Sequence, residues 1–130
     1  MSIEFINPPS APPSAGGYRQ LAIVPSNRRL LVLAGQIGNT MDGTIVDGLE
    51  QQYEQALANI VAIVESEGGT SSDVARITVF LTENPEGSRK IGEANDKYFP
   101  NGQPAMSWIY VAGLFRPDVK VEIEAIAAVD

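Results

Sequence analysis

The sequence contains no cysteine and no histidine. Without cysteine it has no disulfide framework and no thiolate nucleophile, and without histidine it has no imidazole base. The two absences together remove the nitrogen and sulfur ligands on which most transition-metal sites depend. Any catalysis by this chain must therefore use carboxylates, amines, hydroxyls, guanidinium groups or the backbone.

Positive charge is scarce, since nine Lys and Arg face sixteen Asp and Glu for a net charge of −7. Proteins bind nucleic-acid phosphates through clustered basic residues, and here only Arg28–Arg29 and Arg89–Lys90 are adjacent. Long apolar runs are also missing. No stretch approaches the roughly 20 residues that cross a bilayer, and the proline-rich segment 1–14 lacks signal-peptide architecture. We expect no nucleic-acid partner, no membrane partner and a cytoplasmic location.

The residues that are present predict one globular domain over residues 1–130, with residues 1–15 as an extended N-terminal segment. Helical periodicity predicts a first helix that begins at Leu49 and ends at Gly68-Gly69, and a second helix over about 86–99. The apolar stripe of the first helix consists of Leu49, Tyr53, Ala56, Leu57, Ile60 and Val64.

Alternation and short apolar runs predict strands over 18–24, 30–36, 73–82, 105–111 and 119–129. The turn cluster at Pro25-Ser26-Asn27 predicts that the first two strands form a hairpin. The order is ββαβαββ, an α/β (α+β) domain with a mixed sheet of about six strands and two helices on one face.

The face of the sheet opposite the helices is expected to keep apolar side chains, namely Phe80, Met106, Trp108, Tyr110 and Ile126. A sheet with two apolar faces has helices for only one of them. Apolar surface of this kind is usually covered by association between copies. The pattern therefore predicts a homo-oligomer.

The order of these elements and several local strings resemble the RidA (YjgF) family from Ile6-Asn7 through Val129. The strings are Gly17-Tyr18-Arg19-Gln20, Leu33-Ala34-Gly35-Gln36-Ile37, Gln55-Ala56-Leu57-Ala58-Asn59-Ile60, Val79-Phe80-Leu81, Asn95 within EANDKYF, Pro104-Ala105, and Val121-Glu122-Ile123-Glu124-Ala125-Ile126-Ala127. Each string is weak alone, and their shared order and spacing make the resemblance specific. The resemblance implies a chorismate-mutase-like fold and a homotrimer with ligand clefts between its subunits. It also implies hydrolysis of imines or enamines to a 2-oxo acid and ammonia without metal or organic cofactor.

The resemblance also implies site residues. Glu122 matches a glutamate that orients the hydrolytic water, and Gly35 matches a glycine whose backbone contacts ligand or water. Tyr18 and Asn95 match ligand-binding positions. The position of the family's carboxylate-binding arginine is occupied here by Met106, which has no charge and no donor.

Two further residues follow Met106 on the same strand face, and they make the expected cleft aromatic. These are Trp108 and Tyr110. Arg19 and Lys120 are candidate replacements for the missing cation. Strand alternation directs Arg19 away from the Tyr18 side, and an exposed ion pair explains Lys120 equally well.

Each candidate has a structural explanation as well. Glu122 can serve in acid–base work or be a satisfied carboxylate at a subunit interface, and Tyr18 and Asn95 can simply pack or hydrogen-bond. Met106 and Trp108 can form a ligand pocket or plug the cleft. The leading hypothesis is a cofactor-independent, deaminase-like hydrolase for a small molecule that is not an ordinary 2-imino acid. The alternative is a non-catalytic metabolite-binding or protein-interaction trimer.

Overall fold

A computed structural model describes residues 2–130, and it contains two α-helices and seven strands. The strands are β1 (Glu4–Ile6), β2 (Tyr18–Arg19), β3 (Leu21–Ile23), β4 (Arg29–Ile37), β5 (Val74–Leu81), β6 (Gln103–Tyr110) and β7 (Val121–Val129). The helices are α1 (Leu49–Ser66) and α2 (Arg89–Tyr98). The α+β class is confirmed, and the number of strands is seven instead of about six.

Helix α1 forms the centre of the core, as its apolar stripe predicts. Five residues of the predicted stripe are fully buried, with Gln52 beside them, and only Leu49 is partly exposed. The helix ends at Ser66 and is followed, two residues later, by Gly68, whose positive φ of 85° suits a residue without a Cβ atom. Among residues 2–130 no helix is both long enough and apolar enough to span a membrane.

The main sheet has five strands in the order β2-β6-β5-β7-β4. Strand β5 lies in the centre, parallel to β6 and antiparallel to β7. Both helices pack on one face of this sheet against Ile77, Val79 and Ile123. That arrangement agrees with the predicted mixed sheet that carries two helices on one side.

The predicted hairpin between residues 18–24 and 30–36 is wrong. The first of these segments is interrupted at Gln20, and β3 pairs with β1 of the N-terminal segment in a separate two-stranded ribbon. Strand β4 pairs with β7 instead, with Val32 opposite Ile126. Alternation identifies a strand and its faces, but it does not identify the strand's partner.

The expected position of Met106, Trp108 and Tyr110 on the open face of the sheet is also wrong. The parallel register of β5 and β6 places these three residues beside Ile77, Val79 and Leu81, which face the helices. The open face carries other apolar residues. Leu30 is 61% exposed and Val32 is 75% exposed, and Phe80 and Ile126 lie on the same side. The ribbon of β1 and β3 covers only the end of this face, near Ala75 and Ala128.

Candidate functional site

A cavity of about 720 Å³ lies at the edge of the sheet, between the segment before β2, helix α2 and strand β6. It holds four of the seven residues that the sequence proposed for the site. Its lining consists of Ala15, Gly16, Gly17, Tyr18, Asn95, Gln103, Met106, Ser107, Trp108 and Ile109. The ligand-binding role of these residues remains a prediction.

The cavity exists because β2 is only two residues long. Strand β2 pairs with β6 at Gln103 and Ala105 and then ends. The remainder of β6, from Met106 onward, is paired on its β5 side and has no strand beside it on the other, within residues 2–130. An unpaired strand edge offers backbone donors and acceptors to whatever occupies the cavity.

Asn95 is the buried polar group of the cavity wall. It is 7% exposed, and its Oδ1 accepts a hydrogen bond of 2.5 Å from the hydroxyl of Tyr53 on α1. Burial raises the pKa of the Tyr53 phenol well above its ordinary value, although the hydrogen bond to Asn95 lowers it in part. Tyr53 therefore stays a neutral donor at any physiological pH.

Trp108 forms the aromatic wall of the cavity. Its ring centroid lies 5.8 Å from that of Tyr53, at an interplanar angle of 50°. The indole Nε1 donates to the hydroxyl of Tyr110 at 3.3 Å, and this hydroxyl donates to Asn84 Oδ1 at 2.9 Å. Tyr110 itself is outside the lining and holds Trp108 in place from the next position along the same face.

Among residues 2–130, no lysine, arginine, aspartate or glutamate lines the cavity. Arg19 points away, as strand alternation predicts, and its guanidinium donates to the carbonyl oxygens of Asn101 and Gln103, each at 3.3 Å. Lys120 lies elsewhere and pairs with Glu83 at 3.6 Å. Neither residue supplies a cation to this cavity in the single chain.

Gly35 and Glu122 lie together, but on the open face of the sheet and away from the cavity. A Cβ atom at position 35 would collide with the Glu122 carboxylate, so the missing side chain is what admits this carboxylate against β4. Glu122 is half-buried and stands opposite Phe80 on β5. The residues proposed for the site from the sequence are thus divided between two faces of the sheet in one chain.

The comparisons with known proteins agree with this architecture. The model of the family described as Endoribonuclease L-PSP matches residues 8–129. The chain belongs to the Rid (RidA/YjgF) family. A RutC family protein of Pyrococcus horikoshii is 39% identical over 126 residues, which are 95% of this chain and 96% of the relative.

Other similar proteins include one that is named as an enzyme and two solved structures. A protein of Dermatophagoides farinae named 2-iminobutanoate/2-iminopropanoate deaminase is 32% identical, over 97% of this chain and 96% of that protein. The crystal structure of the Rid protein YyfB from Yersinia pestis superposes with a TM-score of 0.87 at 30% identity, covering 99% and 100% of the two chains. RidA from an Antarctic Psychrobacter superposes with a TM-score of 0.69 at 29% identity, covering 97% and 99%.

The sequence reasoning missed Tyr53, which contacts both Asn95 and Trp108 of this Rid-family cavity. Its signal was a hydroxyl in the middle of an otherwise apolar helical stripe, because a buried hydroxyl requires a partner. It also missed Gln103 and the glycine segment before Tyr18. Within residues 2–130 no cluster of three or more Asp or Glu has the spacing of a metal site.

Proposed function

We propose that this Rid-family chain binds an uncharged small organic molecule in clefts between the subunits of a homotrimer, and that it hydrolyses an imine or enamine there. The observation that carries this proposal is the lining of the 720 Å³ cavity, in which no residue bears a charge. A relative is named as an imine deaminase, which favours imine chemistry on this scaffold.

Met106 argues against a carboxylate ligand. It lines the cavity at the position where the family resemblance places an arginine, and its thioether has neither charge nor donor. A carboxylate that leaves water without a cation partner loses several kcal/mol of solvation. A neutral ligand with an apolar or aromatic part avoids this penalty and contacts Met106 and Trp108 favourably.

The trimer is proposed because the two groups of site residues are separated within one chain. They can come together only if each group belongs to a different subunit. Glu122 and Gly35 lie on the open face of the sheet, whereas Asn95 and Trp108 lie on the side that carries the helices. The open face also exposes Val32, which favours its burial against another copy. A neighbouring subunit that covers this face brings its own cavity toward Glu122.

The chemistry follows from such an arrangement. The Glu122 carboxylate accepts a hydrogen bond from water and directs the water oxygen at the imine carbon. The carbon–oxygen bond forms as the π electrons move to nitrogen, which takes up a proton. Collapse of the resulting amino alcohol releases ammonia and leaves a carbonyl compound, so no redox step or cofactor is required.

The direct test is ammonia release from two freshly generated substrates, the enamine 2-aminoacrylate (with its imine tautomer), which has a carboxylate, and the imine benzaldimine, which has none. We expect the wild-type protein to accelerate benzaldimine hydrolysis and to leave 2-aminoacrylate near the uncatalysed rate. The Met106→Arg variant should gain activity on 2-aminoacrylate, because a guanidinium can pair with its carboxylate. A wild-type protein that prefers 2-aminoacrylate would refute the proposal.

A non-catalytic binding protein is the second candidate, and one observation favours it. The cavity of a single chain contains no carboxylate, and none of its lining residues is an evident general base. A protein of this kind would bind benzaldehyde or benzamide in the cavity and release no ammonia from either imine. Binding without turnover therefore separates it from the hydrolase.

A further inference from the structure

We propose that Tyr53 is the positioning residue of the cavity, and that it selects ligands with a hydrogen-bond acceptor. It does so by holding Asn95 in the orientation that directs the Asn95 NH2 group into the cavity. This inference rests on the proposed function for the location of the ligand, and it adds the polarity of the ligand's recognised group.

The orientation of Asn95 follows from the state of Tyr53. The Tyr53 side chain is fully buried, and its hydroxyl lies 2.5 Å from Asn95 Oδ1. A neutral phenol has one proton to donate, and the carboxamide oxygen is the group that accepts it. The Asn95 Nδ2 then lies on the other side of the carboxamide, and it donates no hydrogen bond to any other residue of 2–130.

Two other polar groups near the cavity have defined hydrogen-bonding roles, and these influence what a ligand can bond to. The Trp108 Nε1 donates to Tyr110, so the indole presents only its ring to the cavity. The Tyr18 hydroxyl accepts from the Ala15 N–H at 3.3 Å, and its own proton remains free to donate. Tyr18 and Asn95 thus both offer donors to the same space.

These donors define a class of ligand. A carbonyl oxygen, an amide oxygen or an imine nitrogen accepts from Asn95 or Tyr18, while a planar carbon skeleton packs against Trp108. A ligand that offers only donors in that place would leave Nδ2 of Asn95 without a partner, and an unpaired buried donor is costly. The Tyr53 ring packs on Trp108, and the Tyr53 hydroxyl bonds to Asn95. One residue therefore holds both the aromatic wall and the hydrogen-bonding amide of the cavity.

The first test measures the unliganded wild-type protein by NMR. Nuclear Overhauser contacts of the Asn95 NH2 protons should reach the Trp108 ring and Tyr18, and the Tyr53 hydroxyl proton should exchange slowly with water. Contacts from these NH2 protons to the Tyr53 ring edge instead would show the opposite orientation and would overturn the proposal. This measurement depends on no variant and on no ligand.

The second test compares two variants that each remove one phenolic oxygen. Tyr53→Phe keeps the ring against Trp108, and Tyr98→Phe makes the same change on α2 outside the cavity lining. With benzamide as the probe, Tyr53→Phe should weaken binding roughly tenfold, whereas Tyr98→Phe should leave it unchanged. Equal benzamide affinities for Tyr53→Phe and wild type would contradict the role of Tyr53.

The two tests also separate this inference from the proposed function. If benzamide fails to bind the wild-type protein while the Asn95 NH2 group faces the cavity, the proposed ligand class is wrong and the positioning role of Tyr53 stands. If benzamide binds and the NH2 group faces Tyr53, the ligand class stands and the positioning role is wrong.

Discussion

At the scale of single residues, Tyr53 connects the hydrophobic core to the cavity. Its ring belongs to the apolar stripe of α1, and its hydroxyl bonds to Asn95 on α2. A tyrosine at this place is more costly than a phenylalanine unless its hydroxyl finds a partner, because an unpaired buried hydroxyl loses its hydration. Asn95 supplies that partner and is itself held by it.

The buried phenol gives the protein's stability a particular dependence on alkaline pH. In the unfolded chain Tyr53 ionises near pH 10, whereas burial raises its pKa in the folded protein. Above about pH 10 the unfolded state has lost a proton that the folded state keeps, so the free energy of unfolding falls by up to about 1.4 kcal/mol per pH unit. Below that pH this residue contributes no such slope.

Urea unfolding from about pH 8 to about pH 11 measures this effect. The difference between the wild-type protein and Tyr53→Phe isolates Tyr53 from the other groups that titrate in the same range. We expect the wild-type protein to lose stability more steeply than the variant above pH 10. Parallel curves for the two proteins would contradict the buried, hydrogen-bonded phenol.

The sequence located the site residues of the cavity only in part. Family resemblance pointed to Tyr18, Asn95 and Met106, and the structure places all three in one cavity. It did not separate them from Glu122, which the structure places on the opposite face of the sheet, because a family resemblance assigns a residue to a site without indicating its face within one chain. Tyr53 was assigned only to the core, since helical periodicity describes burial and does not describe what a hydroxyl bonds to.

At the scale of elements, the close approach of helix α1 to the end of β4 depends on Gly38. A Cβ atom at this buried position would collide with the backbone Cα of Gln52 on α1. Main-chain atoms on both sides leave no flexible group to move aside. We expect Gly38→Ala to lower the free energy of unfolding by about 1–3 kcal/mol, as overpacked cores do.

Gly92 provides the matched control for that substitution. It lies in the interior of α2 on the exposed side, and a Cβ atom there meets nothing within 4 Å. Alanine should favour the helix, and Gly92→Ala should raise the free energy of unfolding by about 0.5–1 kcal/mol. Chemical denaturation of both variants checks the pair, and a stable Gly38→Ala protein would contradict the packing of α1 on β4.

The elements themselves could be predicted well, and their partners could not. Both helices and four of the five predicted strands are present, because 3.6-residue and two-residue periods record which side of an element is buried. The first predicted strand is divided at Gln20 into β2 and β3. The pairing of β3 with β1 was missed, because β1 (Glu4–Ile6) has only three residues and is too short to show a periodic pattern. The side occupied by Trp108 was missed because a one-residue change of register reverses both faces of β6.

At the scale of the whole molecule, the exposed apolar residues of the open sheet face favour burial against a second copy of the chain. Leu30 and Val32 are exposed there. A small depression of about 150 Å³ on this face is lined by Val32 and Ile126 together with Arg76 and Glu124. We expect the protein in solution to have three times the 13.9 kDa mass of one chain. An acidic residue in this face should prevent assembly, since a buried charge without a partner is costly.

Val32→Asp tests this, with Met41→Asp as the control. Both residues are apolar and exposed in the single chain, but Met41 lies in a turn away from the sheet. Light scattering coupled to size exclusion should show dissociation for Val32→Asp and an intact trimer for Met41→Asp. A wild-type protein that is strictly monomeric, or a Val32→Asp protein of unchanged trimeric mass, would contradict the proposed interface.

The most direct measurement of the central claim uses the protein's single tryptophan. Trp108 lines the cavity, so its fluorescence reports on any ligand that enters. Titration with benzamide and with benzoate compares a neutral and an anionic ligand of nearly the same shape. We expect benzamide to bind at least roughly tenfold more tightly, because the lining offers hydrogen-bond donors and no cation. Tighter binding of benzoate would show that a positive charge reaches the cavity and would contradict the account.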